Sequence, residues 1–387
     1  MNFVFLSPHF PPNYYHFCEH LNYLGVNVLG LADEPYASLR PELKNVLREY
    51  YLVREMHNYD ELLRALGYFT HRYGKIDRLD SQNEYWLETE AALRTDFNIF
   101  GIKNDEIMKV KRKSLMKQRF QKAGVPVACG RVARTIKEAK RLIDEVGYPL
   151  VAKPDIGVGA AKTYKIHDAV ELQNFFEIKP DVDYIMEEFI AGTIYSFDGL
   201  TDHDGNLVFY TSHKFSQGVM ETVVDDDLMA YYSLRDIPPD LEDAGRRTLE
   251  AFNVRERFFH FEFFRTPENK IVALEVNIRP PGGLTTDMFN YANDIDIYAE
   301  WAHIIVHNHF TADYSRPYHC CYIGRKFNRS YLHTHEQVLS SFPRQLCDHQ
   351  YISGVFSAAL GDYGYLVRSP ALDEILEIAS YIQAPPV

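Results

Sequence analysis

The stretch Phe258–Gly283, FFHFEFFRTPENKIVALEVNIRPPGG, leaves this chain few folding options. Two apolar runs of strand length flank PENK (267–270), whose composition suits a tight turn, so the runs can lie side by side as antiparallel strands. Strand alternation then puts His260 and Glu262 on one face and Phe259, Phe261 and Phe263 on the other. In the second run it groups Glu275, Asn277 and Arg279, with Leu274, Val276 and Ile278 turned to the core, and it brings Glu262 near Glu275. Two carboxylates and an amide oxygen are hard ligands suited to Mg²⁺ or Mn²⁺ bridged to phosphates. The flanks are so apolar that a charged trio there needs a cation to offset its burial.

A second stretch, Val151–Lys162 (VAKPDIGVGAAK), supplies a partner for such a metal. A buried-type strand delivers Lys153, Pro154 stops it, and a loop with Gly157 and Gly159 follows. Backbone N–H groups and one lysine are a common way to hold nucleotide phosphates. GxxxxGK[ST] is absent, so this is not a Walker A loop, and a lysine beside GxG is by itself a weak signal. Together the two stretches point to a nucleotide-using enzyme.

At 387 residues the chain should form two or three domains or lobes. Its 46% apolar content supports packed cores. The excess of 54 acidic over 41 basic residues, −13 overall, argues against a nucleic-acid partner. Five irregularly spaced cysteines with no CxxC pair suggest reduced thiols and a cytoplasmic location. The start MNFVFLSPHF has the character of a first strand, and no apolar run approaches the roughly 18 residues of a membrane span.

Residues 1 to about 103 alternate strand and helix signals: Phe3–Leu6, Tyr14–Leu24, Val26–Leu31, Tyr59–Tyr73. That rhythm predicts a parallel sheet flanked by helices. SPHFPPNYYH, not GxGxxG, follows the first strand, so the fold is Rossmann-like without a dinucleotide site. Residues 104–125 are expected as one helix carrying Lys109, Lys111, Lys113 and Lys117. A small α+β unit follows to about Ile185, and strands dominate from Tyr184. His303, His307 and His309 lack the partners of a zinc site and are expected to be ordinary helix residues. His213 and Lys214 are either substrate contacts or solvated polar residues; Glu84, Trp86 and Glu88 lie where the N-terminal domain should face the nucleotide site, so one of them is a candidate substrate contact, with a helix face the preferred reading. His260 is a candidate general base, sharing a face with Glu262.

These motifs resemble the ATP-grasp carboxylate–amine ligases, a superfamily that includes amino-acid ligases, biotin carboxylase and carbamoyl-phosphate synthetase. The likeness runs from the first strand to about residue 310. It implies an α/β and α+β ATP-grasp fold: an N-terminal Rossmann-like domain (1–103), a small lobe with the glycine-rich loop (104–185), a large lobe with the metal site (186–310) and a C-terminal α+β extension packed on it (311–387). In KSLMKQRFQKAGVP it assigns Lys113 to ATP phosphate, and in the strand it assigns Lys153, with Gly157 and Gly159 in the loop. Glu187, Glu188, Phe189 and Ile190 correspond to the adenine hinge, and Glu262, Glu275 and Asn277 to the metal ligands. Arg279 corresponds to the arginine beside the transferred phosphoryl or the substrate carboxylate. Where the family often has a ribose-binding glutamate this chain has Ile194. The implied reaction joins a small-molecule carboxylate and an amine through an acyl phosphate, using ATP and Mg²⁺, with no nucleic-acid or membrane partner and with a homodimer left open. A bicarbonate-activating enzyme of the biotin-carboxylase or carbamoyl-phosphate type and a non-catalytic nucleotide-binding protein are the alternatives.

Overall fold

Residues 1–157, 162–216 and 227–386 are described by a computed structural model of the protein. Its first strand, Asn2–Leu6, lies between parallel neighbours Asn27–Ala32 and Arg78–Asp80, and Glu49–Leu52 completes a four-stranded parallel sheet. Both faces are covered, which is why NFVFL is apolar without alternation. Val4 and Leu6 pack toward the helix Tyr59–Tyr73 through Leu62, Leu66 and Phe69. Phe3 and Phe5 pack the other way, onto Phe17 of the helix Tyr15–Tyr23 and Trp301 of the helix Ile297–His307. The N-terminal sheet is therefore fastened to the rest of the chain by a shared apolar core.

The single helix expected over 104–125 is two helices, Asn104–Lys111 and Lys113–Lys122, broken at Arg112 where ψ is 118°. The cause lies far away in sequence. Asp155 accepts hydrogen bonds from Ser114 N at 2.8 Å and Ser114 Oγ at 2.9 Å, and its own carbonyl accepts from Lys113 N at 2.9 Å. An N-cap supplied from the glycine-rich loop thus starts the second helix at Lys113.

Next comes an antiparallel sheet in the order Gly130–Val132, Tyr184–Glu188, Leu150–Pro154, Tyr164–Ile166. The helices Ile136–Val146, opened by a Thr135–Glu138 capping box, and Ala169–Ile178, capped by Asp168, enclose its core. Among the described residues the largest sheet has nine strands and runs from Ile271–Asn277 and Phe258–Arg265 through Thr193–Thr201 to the C-terminal strands His319–Arg325, Tyr363–Ser369 and Leu346–Tyr351. The C-terminal strands are thus continuous with this sheet.

The Phe258–Arg265 and Ile271–Asn277 strands pair antiparallel, with Glu262 opposite Glu275 and His260 opposite Asn277. Strict alternation fails at one place. The register shifts so that Phe263 faces Ala273, and Leu274 is the extra residue of a bulge. Val276 and Ile278 enter the core as expected, but Leu274 is half-buried and turns to the cleft beside Glu275.

Candidate active site

Two basic side chains one helical turn apart, Lys113 and Lys117, project from the Asp155-capped helix toward the cleft between the two antiparallel sheets. Lys153 and Glu187 come from neighbouring strands of the small sheet and share a face. Glu187 is buried and ion-paired to both Lys117 Nζ and Lys153 Nζ, each at 2.7 Å. Burial raises its pKa, but the two ammonium groups outweigh burial and hold it at about 2. Lys117 also donates to the Ala128 carbonyl at 2.6 Å.

Across the cleft, Lys113 Nζ lies 2.8 Å from Glu275 Oε1 and 3.3 Å from the Gly157 carbonyl, so one lysine ties the glycine-rich loop to the hairpin. Burial pulls Lys113 down and Glu275 pushes it up further, leaving it raised. Glu275 shows the reverse: burial raises it, and Lys113, Lys153 and Arg279 hold it lowered. Met116, Phe120, Val127, Ala273 and Leu274 give the same cleft an apolar wall beside Lys113, Lys117 and Glu187.

The other hinge residues point elsewhere. Glu188 Oε1 accepts from Cys129 N at 2.6 Å, and Phe189 sits under Lys165 Nζ at 3.7 Å. Ile190 is half-buried after the strand's end, and Ile194 is buried opposite Phe264. Gly159 lies outside the described residues.

Glu262, Glu275 and Asn277 share the cleft face of the hairpin. Among the described residues no group of three or more His, Cys, Asp or Glu side chains converges as a complete metal site. The donor chemistry nonetheless fits Mg²⁺: a facing pair of carboxylates, one held ionised by a lysine, and an amide oxygen, with phosphates to supply the remaining oxygens.

His260 is held on both ring nitrogens. Its Nδ1 is bonded to the fully buried Asp198, which also accepts from His213 Nδ1 at 2.7 Å and from Ser196 Oγ. Burial lowers His260, but Asp198 raises it further, to about 9. Its Nε2 lies 3.6 Å from Glu262 Oε1. His213 is a buried member of this network, whereas Lys214 reaches the Tyr195 ring at 5.8 Å.

Glu84 has a larger place than a helix face. It follows the strand Arg78–Asp80, pairs with Lys111 Nζ at 2.8 Å and comes within 3.5 Å of Arg279 Nε. Arg279 also donates to the Pro280 carbonyl at 2.8 Å. One residue earlier, the Ile278 carbonyl accepts from Arg257, which is buried with Asp80, Glu90 and Arg94 in a four-member ionic cluster. The end of the hairpin strand is thereby fixed against the N-terminal sheet.

Residues 146–287 match the ATP-grasp domain family. The L-arginine-specific L-amino acid ligase of Bacillus subtilis is 22% identical over 251 residues, covering 61% of this chain and 59% of that protein. The chain therefore spans less than two thirds of that relative's length. The L-amino acid ligase structure from Bacillus licheniformis superposes with a TM-score of 0.76 at 13% identity, covering 98% of this chain and 95% of that one. The biotin carboxylase domain of the Hydrogenobacter thermophilus 2-oxoglutarate carboxylase, solved with MgADP and bicarbonate, does so with a TM-score of 0.70 at 16% identity, covering 97% and 89%. The match places an ATP-grasp domain over residues 146–287, and the superpositions show that the chain as a whole has the ATP-grasp fold.

Proposed function

We propose that the protein is an ATP-dependent ligase that joins a small-molecule carboxylate to an amine through an acyl phosphate, releasing ADP and phosphate. One observation carries this reading: a single cleft sets the cations Lys113, Lys117 and Lys153 against the carboxylate pair Glu262–Glu275, with Arg279 at its end. Cations around one carboxylate suit a polyphosphate, and the apolar wall with Leu274 suits a purine ring. The ligase names of the relatives and the MgADP held by a similar structure support the same choice.

In this reading Lys113, Lys153 and the loop with Gly157 and Gly159 hold the phosphates, and Glu187 to Ile190 border the base. Glu262, Glu275 and Asn277 would hold Mg²⁺, which when bound neutralises charge on the outer phosphates. Arg279 grips the carboxylate through two parallel N–H bonds and lines it up for phosphorylation. His260, bonded to Asp198 through Nδ1 and with Nε2 beside Glu262, positions the carboxylate of the metal pair. The amine attacks the acyl phosphate, the C–N bond forms, and the C–O bond to phosphate breaks. Five unpaired cysteines favour a reducing compartment, and we place the protein in the cytoplasm.

The test is ADP release measured over a matrix of carboxylates and amines. Release that needs one of each, and that falls at least about a hundredfold in Glu275→Gln with the fold intact, supports the ligase. Unchanged turnover in that variant, or ADP release driven by bicarbonate alone, contradicts it.

A further inference from the structure

The strand Thr193–Thr201 pairs antiparallel with Phe258–Arg265 and continues the rows of the hairpin one strand further. Ser196 lies beside Glu262, which faces Glu275, and Asp198 lies beside His260, which faces Asn277. On the same face the row before is Ile194 with Phe264, and the row after is Leu200 with Phe258. Of these four rows, the two polar ones are those that carry the proposed metal ligands.

Asp198 is fully buried, and a buried carboxylate is costly unless its charge is met. Three donors meet it: His260 Nδ1, Ser196 Oγ and His213 Nδ1, the last at 2.7 Å. A carboxylate only accepts, so both Nδ1 atoms carry the proton. His260 extends the chain toward the cleft, with Nε2 3.6 Å from Glu262 Oε1. His213 closes it from behind. It opens the strand His213–Phe215, is 1% exposed, and packs against Phe289 and Tyr231 with ring centres 5.7 and 6.0 Å away. Its Nε2 is buried without a partner among the described residues. A phenyl ring would fill that place with no orphan nitrogen, so what the imidazole contributes there is the N–H it gives to Asp198.

We infer that Asp198 and His213 are positioning residues for the metal pair: through His260 they set where Glu262 presents its oxygen to the cation. The inference rests on the placing of Mg²⁺ in the proposed ligase. Groups that orient a metal-binding side chain from behind cost about ten- to a hundredfold in metal affinity when they are lost.

The experiment uses Mn²⁺ in place of Mg²⁺ and follows its binding, with ADP present, by electron paramagnetic resonance and calorimetry, neither of which needs turnover. Asp198→Asn and His213→Leu should each weaken Mn²⁺ about ten- to a hundredfold, while ADP without metal binds as it does to the wild type. His213→Asn keeps an N–H donor near the place of Nδ1 and should recover most of the loss. If Asp198→Asn does not fold, the two His213 variants carry the test. A role in packing alone predicts lower melting temperatures with Mn²⁺ affinity unchanged, and that result overturns the inference. So does a His213→Asn protein no better than His213→Leu. Glu262→Gln is the control: Mn²⁺ binding that survives it puts the cation elsewhere, and the metal placing falls together with the inference. The expected Mn²⁺ pattern without ADP release for any pair of carboxylate and amine keeps the inference and removes the ligase.

Discussion

Glu187 joins the two lysines Lys117 and Lys153 across the cleft wall. Its folded-state pKa of about 2 lies below its ordinary value of 4.5, so it stabilises the fold fully above pH 4.5, and that contribution is lost as pH falls toward 2. The shift corresponds to about 3 kcal/mol. Glu187→Gln leaves Lys117 and Lys153 without their shared anion, so it should lower stability at pH 7 by about that amount. Denaturant melts of both proteins between pH 3 and 7 check this: the gap should shrink as pH drops below 4.5, and a gap independent of pH would contradict it. The pairing of Glu187 with Lys153 was only half legible in sequence. Each was assignable to the nucleotide site by resemblance, but Lys117 is not part of that pattern, and only its position one turn beyond Lys113 brings it onto Glu187. Glu84 was half legible for a different reason: its place facing the nucleotide site made it one of three candidates, but beside Trp86 and Glu88 it has the look of a helix face, and its ion pair depends on a domain contact with Arg279.

Elements were legible where the deciding forces are local. The helices Tyr59–Tyr73 and Ile136–Val146 begin and end where caps and periodicity put them, and the hairpin pairing of Glu262 with Glu275 follows from alternation about PENK. Two features were not legible because a distant partner sets them. The bulge at Leu274 exists only in the register between two strands, and it turns an apparent core leucine into cleft wall. The break at Arg112 comes from Asp155, over forty residues later, and sets Lys113 on the first turn of its helix. Asp155→Ala should therefore cost about 1–2 kcal/mol of stability, as loss of an N-cap does. It should also weaken ATP binding, because Lys113 loses its fixed start. Thermal melts and nucleotide titration measure both effects; loss of stability with unchanged ATP affinity would show that the cap does not position Lys113.

At the scale of the whole molecule, the N-terminal sheet and the hairpin meet through charge as well as apolar packing. Arg257 spans Asp80 and Glu90 on one side and the Ile278 carbonyl on the other, all buried. Removing one member of such a cluster leaves uncompensated charge, so Arg257→Ala should destabilise the protein by about 3–5 kcal/mol. A melt shifted by less than a degree would mean the cluster does not couple the two parts. In the proposed function Arg279 holds a carboxylate against the end of a polyphosphate, and that meeting is the heart of the proposed chemistry. The most direct measurement supplies the substrate with ¹⁸O in its carboxylate and follows the label by mass spectrometry after one round of amide formation. One labelled oxygen should appear in inorganic phosphate, with ADP as the nucleotide product. Label in AMP, or inorganic phosphate that carries no label, would contradict the acyl-phosphate mechanism.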